Sequence, residues 1–182
     1  MRNIQLLTTT LLIAMLASAA HSNDIERGKY LVTIMGCGDC HTPTVPGPGG
    51  APVPDEKRLL SGHPSKLDHP TWTPQDLTQR HASGLVGPML TVWAGPWGVS
   101  FATNLTRDKE TGMGDWSEEA FIRAMRTGKH QGHPNGRDIL PPMPWPAYKN
   151  ATDGDLKAVW AYLRSIPPVK NSVPFPVPPA AH

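Results

Sequence analysis

Cys37-Gly38-Asp39-Cys40-His41 holds both cysteines of the chain. It closes a proline-free window that runs from Asp24 to His41. In that window Leu31, Ile34 and Met35 recur at helical spacing, and Asp24 is a reasonable N-cap. Gly36 ends the periodic stretch just before the first cysteine. The spacing therefore predicts a helix over about 25–35, running straight into the paired cysteines.

The residue types of 37–41 define a chemistry. Two thiols three positions apart can each form a thioether with a vinyl group at one porphyrin edge. The histidine that follows can then ligate the iron from one face. Cys-x-x-Cys-His is the signature of c-type haem attachment. A Cys37–Cys40 disulfide would also suit an oxidising compartment. A thioredoxin-like redox pair shares the spacing but normally lies near a βαβ pattern, which is not found in this sequence. A zinc site would need a fourth ligand, usually from a second pair at fixed spacing.

The second axial position is less determined. Met35 and Met125 fall on helical stripes, where methionine usually fills core space. Met113, in Thr111-Gly112-Met113-Gly114, and Met89 are further options. Met143 stands apart in Leu140-Pro141-Pro142-Met143-Pro144-Trp145-Pro146. Prolines on both sides stiffen that backbone and exclude a helix, so the thioether can be aimed and held. His63, His69, His81, His130 and His133 are alternative ligands, most of them in polar loops beside proline or glycine.

The chain has 182 residues, with 17 Lys and Arg against 15 Asp and Glu. Nucleic-acid binding would call for a basic stripe, and none is found. Met1 and Arg2, the apolar run Leu6–Leu16 and the small residues Ala17 to Ala20 read as a secretory signal peptide over 1–20. The apolar run is shorter than the roughly 20 residues a membrane span requires. Retention as an anchor is the alternative to cleavage. Export predicts a periplasmic protein, with no span left after leader removal.

Proline accounts for 21 residues, about twice the usual share, so helices are confined to the few windows proline leaves free. Residues 42–94 contain nine of these prolines and read as a long irregular insertion within one domain over 21–168. A second helical window opens at Ser117, with Glu118 and Glu119 in the first turn. It carries Ala120, Phe121, Ala124 and Met125 as its apolar stripe and Gly128 at C′. The third window begins at Thr152-Asp153-Gly154-Asp155, a capping box with Asp for Glu. Leu156, Val159, Trp160 and Leu163 mark its buried face, and Pro167-Pro168 stop it. Residues 169–182 form a Pro-rich, extended tail. The fold expected is all-α: about three main helices with long Pro-rich loops around one haem. Trp97, Asn104 and Trp145 are candidate pocket residues.

Three stretches carry a family resemblance. They are Ile25-Glu26-Arg27-Gly28-Lys29-Tyr30-Leu31 leading into Cys37–His41, the run from Asn104-Leu105-Thr106 to Asp115-Trp116-Ser117, and Pro142-Met143-Pro144-Trp145 with Ala161 to Pro168. Together they resemble single-haem class I cytochrome c domains and are similar to the haem domains in cytochrome subunits of periplasmic alcohol, aldehyde and sugar-acid dehydrogenases. Those subunits commonly carry three haem motifs, where this chain has one. The resemblance implies that the first and last helices cross, with Gly28 and Tyr30 near the contact. It implies one covalent haem c, with His41 and Met143 as the metal ligands. The function expected is electron transfer rather than catalysis: single electrons shuttled in the periplasm from a dehydrogenase to a respiratory acceptor, a downstream cytochrome or oxidase. The alternative is a haem c enzyme or gas sensor with an open or displaceable distal site.

Overall fold

A computed structural model describes residues 23–66, 72 and 84–179. The leader read at 1–20, together with His69 and His81, lies outside the described residues.

Helix α1 occupies residues 23–34, so Asp24 sits within it. Gly36, at φ 66°, turns the chain into α2, Cys37–His41. Helix α3 is Glu118–Thr127. Ser117 caps it by accepting from the Ala120 amide at 3.2 Å, and Gly128 closes it with an amide bond to the Ala124 carbonyl. A short α4, Trp145–Tyr148, precedes α5, Asp153–Ser165. Thr152 caps α5 by accepting from the Asp155 amide at 3.1 Å. Pro167 ends it as expected, since the residue before a proline disfavours helical backbone, and Ile166 is extended.

Helices α1 and α5 cross at Gly28. A Cβ built there would stand 1.9 Å from the Ala158 carbonyl oxygen and 2.8 Å from Tyr162 Cβ. Only a residue with no side chain permits that approach. Tyr30 is 54% exposed, with the Arg27 guanidinium 5.5 Å from its ring centroid. Arg27 also bonds Asp155 across the crossing at 2.9 Å, a surface pair worth about 0–1 kcal/mol. Burial does more: Leu31, Val32, Phe121, Leu156, Val159, Trp160 and Leu163 form one cluster, each large side chain contributing about 1.5–3 kcal/mol. Phe121 stacks on Trp160 with centroids 5.6 Å apart.

The all-α expectation is corrected. Beside five α-helices, the described residues form two small antiparallel sheets, which makes the architecture mixed α/β. Strands β1, Thr44–Pro46, and β2, Pro52–Pro54, pair as a ribbon with Val45 opposite Val53. Strands β3, Leu85–Val86, β4, Val92–Gly95, and β5, Gly98–Phe101, form a three-stranded meander. Pro46, Pro52 and Pro54 would not suit an interior strand, but a two-stranded ribbon consists only of edges, where a missing amide costs little. The other strands span two to four residues, too short for alternation to register.

The meander has its own core: Val92, Ala94, Val99 and Phe101, with Trp72, Leu85 and Val173 packed against it. Val99 exchanges amide–carbonyl bonds of 2.8 and 2.9 Å with Val177, so the C-terminal tail covers the free edge of β5. Asn171 ties the same tail inward. Its Nδ2 donates to the Ser61 and His63 carbonyls at 2.7 and 2.8 Å, and its Oδ1 accepts from the Ser65 amide at 3.0 Å.

Candidate functional site

Helix α2 carries Cys37, Cys40 and His41 on little more than one turn. Both cysteines are free thiols, half-buried. Burial, with smaller effects from Cys40 and Asp39, pushes the Cys37 thiol up to about 11. Burial followed by Asp39 raises Cys40 as well. Both sulfurs are therefore protonated at neutral pH.

His41 is 8% exposed. Its Nδ1 lies 2.8 Å from the Thr103 carbonyl oxygen. A carbonyl can only accept, so Nδ1 carries the proton and Nε2 the lone pair. Burial lowers the His41 pKa, opposed by the bond to Thr103, which keeps the ring neutral. This is the tautomer, and the outer hydrogen bond, that a metal-ligating histidine requires. The surrounding backbone is pinned as well. The Gly62 amide donates to the His41 carbonyl at 2.8 Å, and the buried Thr42 hydroxyl accepts from the Leu60 amide at 3.0 Å. Leu60 is fully buried yet held at φ 57°, a left-handed conformation that costs a non-glycine residue about 1–3 kcal/mol and persists only under such constraint.

The other expected residues have mixed environments. Met143 is half-buried, on a turn in which its amide reaches the Leu140 carbonyl at 3.3 Å, just after a cis Pro141–Pro142 bond. Trp145 is half-buried and covers Gly128 at the end of α3. Trp97 is half-buried, and its Nε1 donates to the Ser100 hydroxyl at 3.2 Å. Asn104 is 3% exposed, with its side chain bonded both to its own loop and to the start of the C-terminal tail. Nδ2 donates to the Val169 carbonyl at 2.8 Å and Oδ1 accepts from the Thr106 amide at 3.0 Å. Those contacts make Asn104 the organiser of the 104–111 turn.

Several of the alternative ligands lie among the described residues, in these surroundings. Met113 is buried in the helical core, and Met35 and Met125 pack against that core. His63 is buried in the sheet region, with Nδ1 2.9 Å from the Thr91 hydroxyl and its ring 5.1 Å from Phe101. The His130 ring meets the edge of Trp116 at 5.6 Å, and His133 accepts from the Asn135 amide at 3.2 Å. Among the described residues no group of three or more His, Cys, Asp or Glu side chains forms a metal site, so the zinc alternative finds no partners there. Two surface grooves, one beside Lys157 and Arg164 and one beside Arg123 and His133, lie away from α2.

Sequence reasoning misses three contributors. Thr103 acts through its backbone carbonyl, which no residue type signals. Ser100 donates to the Pro141 carbonyl at 2.6 Å from within a strand that the sequence pattern does not reveal. The Tyr148 hydroxyl donates to the Met35 carbonyl, two residues before Cys37. Burial first, then Cys37 and Cys40, push Tyr148 up to about 12, so it stays a donor at neutral pH.

The sequence profile described as cytochrome c matches residues 25–167. The chain belongs to the cytochrome c family. Its cofactor is covalent haem c, and the residues present fit it: two protonated thiols one turn apart, beside a neutral buried imidazole with a lone pair on Nε2. Among relatives, this cytochrome is 31% identical over 182 residues to the gluconate 2-dehydrogenase cytochrome c subunit of Pantoea cypripedii, covering 96% of the chain and 32% of that subunit. It is 31% identical over 165 residues to the fructose dehydrogenase cytochrome subunit of Gluconobacter japonicus, covering 87% of the chain and 26% of the subunit. It is 28% identical over 171 residues to the cytochrome c subunit of the quinone-dependent alcohol dehydrogenase of Gluconobacter oxydans, covering 90% of the chain and 27% of that protein. The chain thus spans a third or less of the length of these relatives.

Proposed function

We propose that the chain is an electron-transfer protein of the periplasm, attached to haem through Cys37 and Cys40, with His41 and Met143 as the residues that would hold its iron. The observation that carries this reading is the His41–Thr103 bond, which fixes a neutral imidazole beside two free thiols on one helical turn. When bound, haem supplies a one-electron iron couple whose potential follows axial ligation, hydrogen bonding and burial.

The chain's own residues give that couple a constant setting. The Thr103 carbonyl orients the His41 ring and raises its basicity. Burial of His41 keeps water from the imidazole. Met143 offers an uncharged sulfur with no proton to gain or lose, on a backbone that flanking prolines keep from rearranging. Such a pairing leaves little to reorganise between redox states. It is the arrangement of a carrier rather than a catalyst.

The names of the relatives support a dehydrogenase as donor, since they include cytochrome subunits of gluconate, fructose and alcohol dehydrogenases. Delivery to a downstream cytochrome or oxidase completes the role, with export directed by the leader at 1–20. The test is a reduced-minus-oxidised spectrum of protein matured in a haem-attaching host, taken after acid extraction of loose pigment. A c-type spectrum that survives extraction is expected. Met143→Ala should then abolish the thioether–iron charge-transfer band and lower the midpoint potential. A spectrum and potential indifferent to Met143→Ala, with ready CO binding by the unaltered reduced protein, would move the assignment to an open-site haem protein.

A further inference from the structure

The segment that bears Met143 has few backbone donors of its own. Pro141, Pro142, Pro144 and Pro146 lack amide hydrogens, and the Met143 amide is spent on the Leu140 carbonyl. Whatever holds this segment must therefore donate to its carbonyls. Upstream of Met143 that donor is Ser100, on β5. Its hydroxyl gives its hydrogen to the Pro141 carbonyl at 2.6 Å, while its oxygen accepts from Trp97 Nε1 at 3.2 Å. An indole N–H can only donate and a carbonyl can only accept, so the direction of the relay is fixed: Trp97 to Ser100 to Pro141. Ser100 is 6% exposed, which shields the bond from competing water.

Downstream, the Tyr148 hydroxyl bonds the Met35 carbonyl, tying α4 to the approach to Cys37. Met143 thus sits between two anchors, one on the sheet and one beside the attachment helix. The first of them belongs to the β4–β5 hairpin, at the boundary of the long insertion and outside the helical core.

We propose that Ser100, oriented by Trp97, is a positioning residue that holds Met143 in place as the distal ligand. The inference rests on the reading of Met143 as the ligand, and the experiment separates the two. In the haem-loaded ferric protein, imidazole displaces the thioether and bleaches its charge-transfer band. The apparent imidazole affinity rises with the fraction of molecules in which Met143 has already let go.

Ser100→Ala should keep the band but shift the imidazole midpoint about tenfold lower, the effect of one lost net hydrogen bond. Ser100→Thr, which keeps the hydroxyl, should stay within about twofold of the native midpoint. Trp97→Phe should shift it by about two- to threefold, since it removes the orienting donor and leaves the Ser100–Pro141 bond. A purely structural loss would instead lower the denaturation midpoint and leave imidazole affinity unmoved. A native imidazole midpoint in Ser100→Ala, alongside a lost band in Met143→Ala, overturns the positioning role and leaves the ligand assignment standing. A band that survives in Met143→Ala removes the ligand assignment, and the positioning role with it.

Discussion

The helical core and the sheet region solve the same packing problem by different means. In the first, α1, α3 and α5 bring long apolar stripes together, each of the last two capped at its start by a hydroxyl. In the second, strands of two to four residues gather a smaller apolar cluster, and the tail must cover the open edge through Val177. The difference bears directly on the site. Cys37, Cys40 and His41 lie on α2, which continues from the helical core. The bond that sets the His41 tautomer comes from Thr103, just beyond β5, and the bond to the Met143 segment comes from Ser100, within it. In the proposed reading, attachment belongs to the helices. In the same reading, tuning of the attached group belongs to the residues around the sheet.

That division can be broken most sharply at two glycines. Gly28→Ala places a Cβ against the Ala158 carbonyl at a helix crossing where neither backbone is free to move. The loss should be about 3 kcal/mol or more, at the upper end for overpacking, seen as a lower denaturant midpoint with an unchanged slope. Gly98, at φ 91°, meets the Val177 carbonyl at 2.1 Å from its built Cβ. Gly98→Ala should free the tail locally: faster amide exchange at Val99 and Val177, with a much smaller shift in the global midpoint. Equal global losses from the two variants would show that core and sheet unfold as one unit.

How much of this was legible in the sequence follows from the same contrast. Helices α3 and α5 announced themselves because ten or more residues repeat one face and both ends carry caps, Ser117 and Gly128 in one, Thr152 and Pro167 in the other. The haem c cofactor was legible because two cysteines and a histidine at one fixed spacing specify one chemistry. The sheets were not. Proline at 46, 52 and 54 reads as a strand breaker until one knows that the ribbon has no interior strand. Buried throughout, Gly98–Phe101 shows no alternation. Thr103 and Pro141 act through carbonyls, which every residue possesses, so only the folded chain reveals their partners. Asn104 draws notice for its place in a run of family resemblance. Its side-chain bonds, to Thr106, Thr111 and Val169, organise the turn and the start of the tail, and only the folded chain shows those partners.

A third test addresses the seam between the regions. Asn171 is 4% exposed and donates to two backbone carbonyls of the 61–63 segment while accepting from the Ser65 amide. Asn171→Ala leaves those buried groups unsatisfied. The expected loss is about 1–3 kcal/mol, between the effects of the two glycine variants. Because Gly62 in that segment also bonds the His41 carbonyl, the variant should sharpen the comparison by loosening both regions together. Denaturation followed by haem absorbance and by tryptophan fluorescence should report one shared shift. Probes that separate would place the seam elsewhere.

The smallest expected effect lies at His130, beyond the C-terminus of α3. Burial, and then the charge of Arg137, lower its pKa below the ordinary 6.5. A proton therefore binds the unfolded chain more readily than the folded one. The sign follows from linkage: the stability tied to a neutral His130 is complete above about pH 6.5 and is lost as the pH falls through and below that value. His130→Gln cannot titrate. The stability of the native chain relative to this variant should be constant above neutrality and decline with acidification, measured by urea midpoints at a series of pH values. A difference that stayed flat from pH 8 to pH 5 would mean that the folded environment does not disfavour the imidazolium. The partial burial of the ring against Trp116 would then have to be reconsidered, together with its distance from Arg137. Because the ring is only half-shielded, solvent screens much of the Arg137 charge, and the slope should be shallow compared with any change at the seam or at the two glycines.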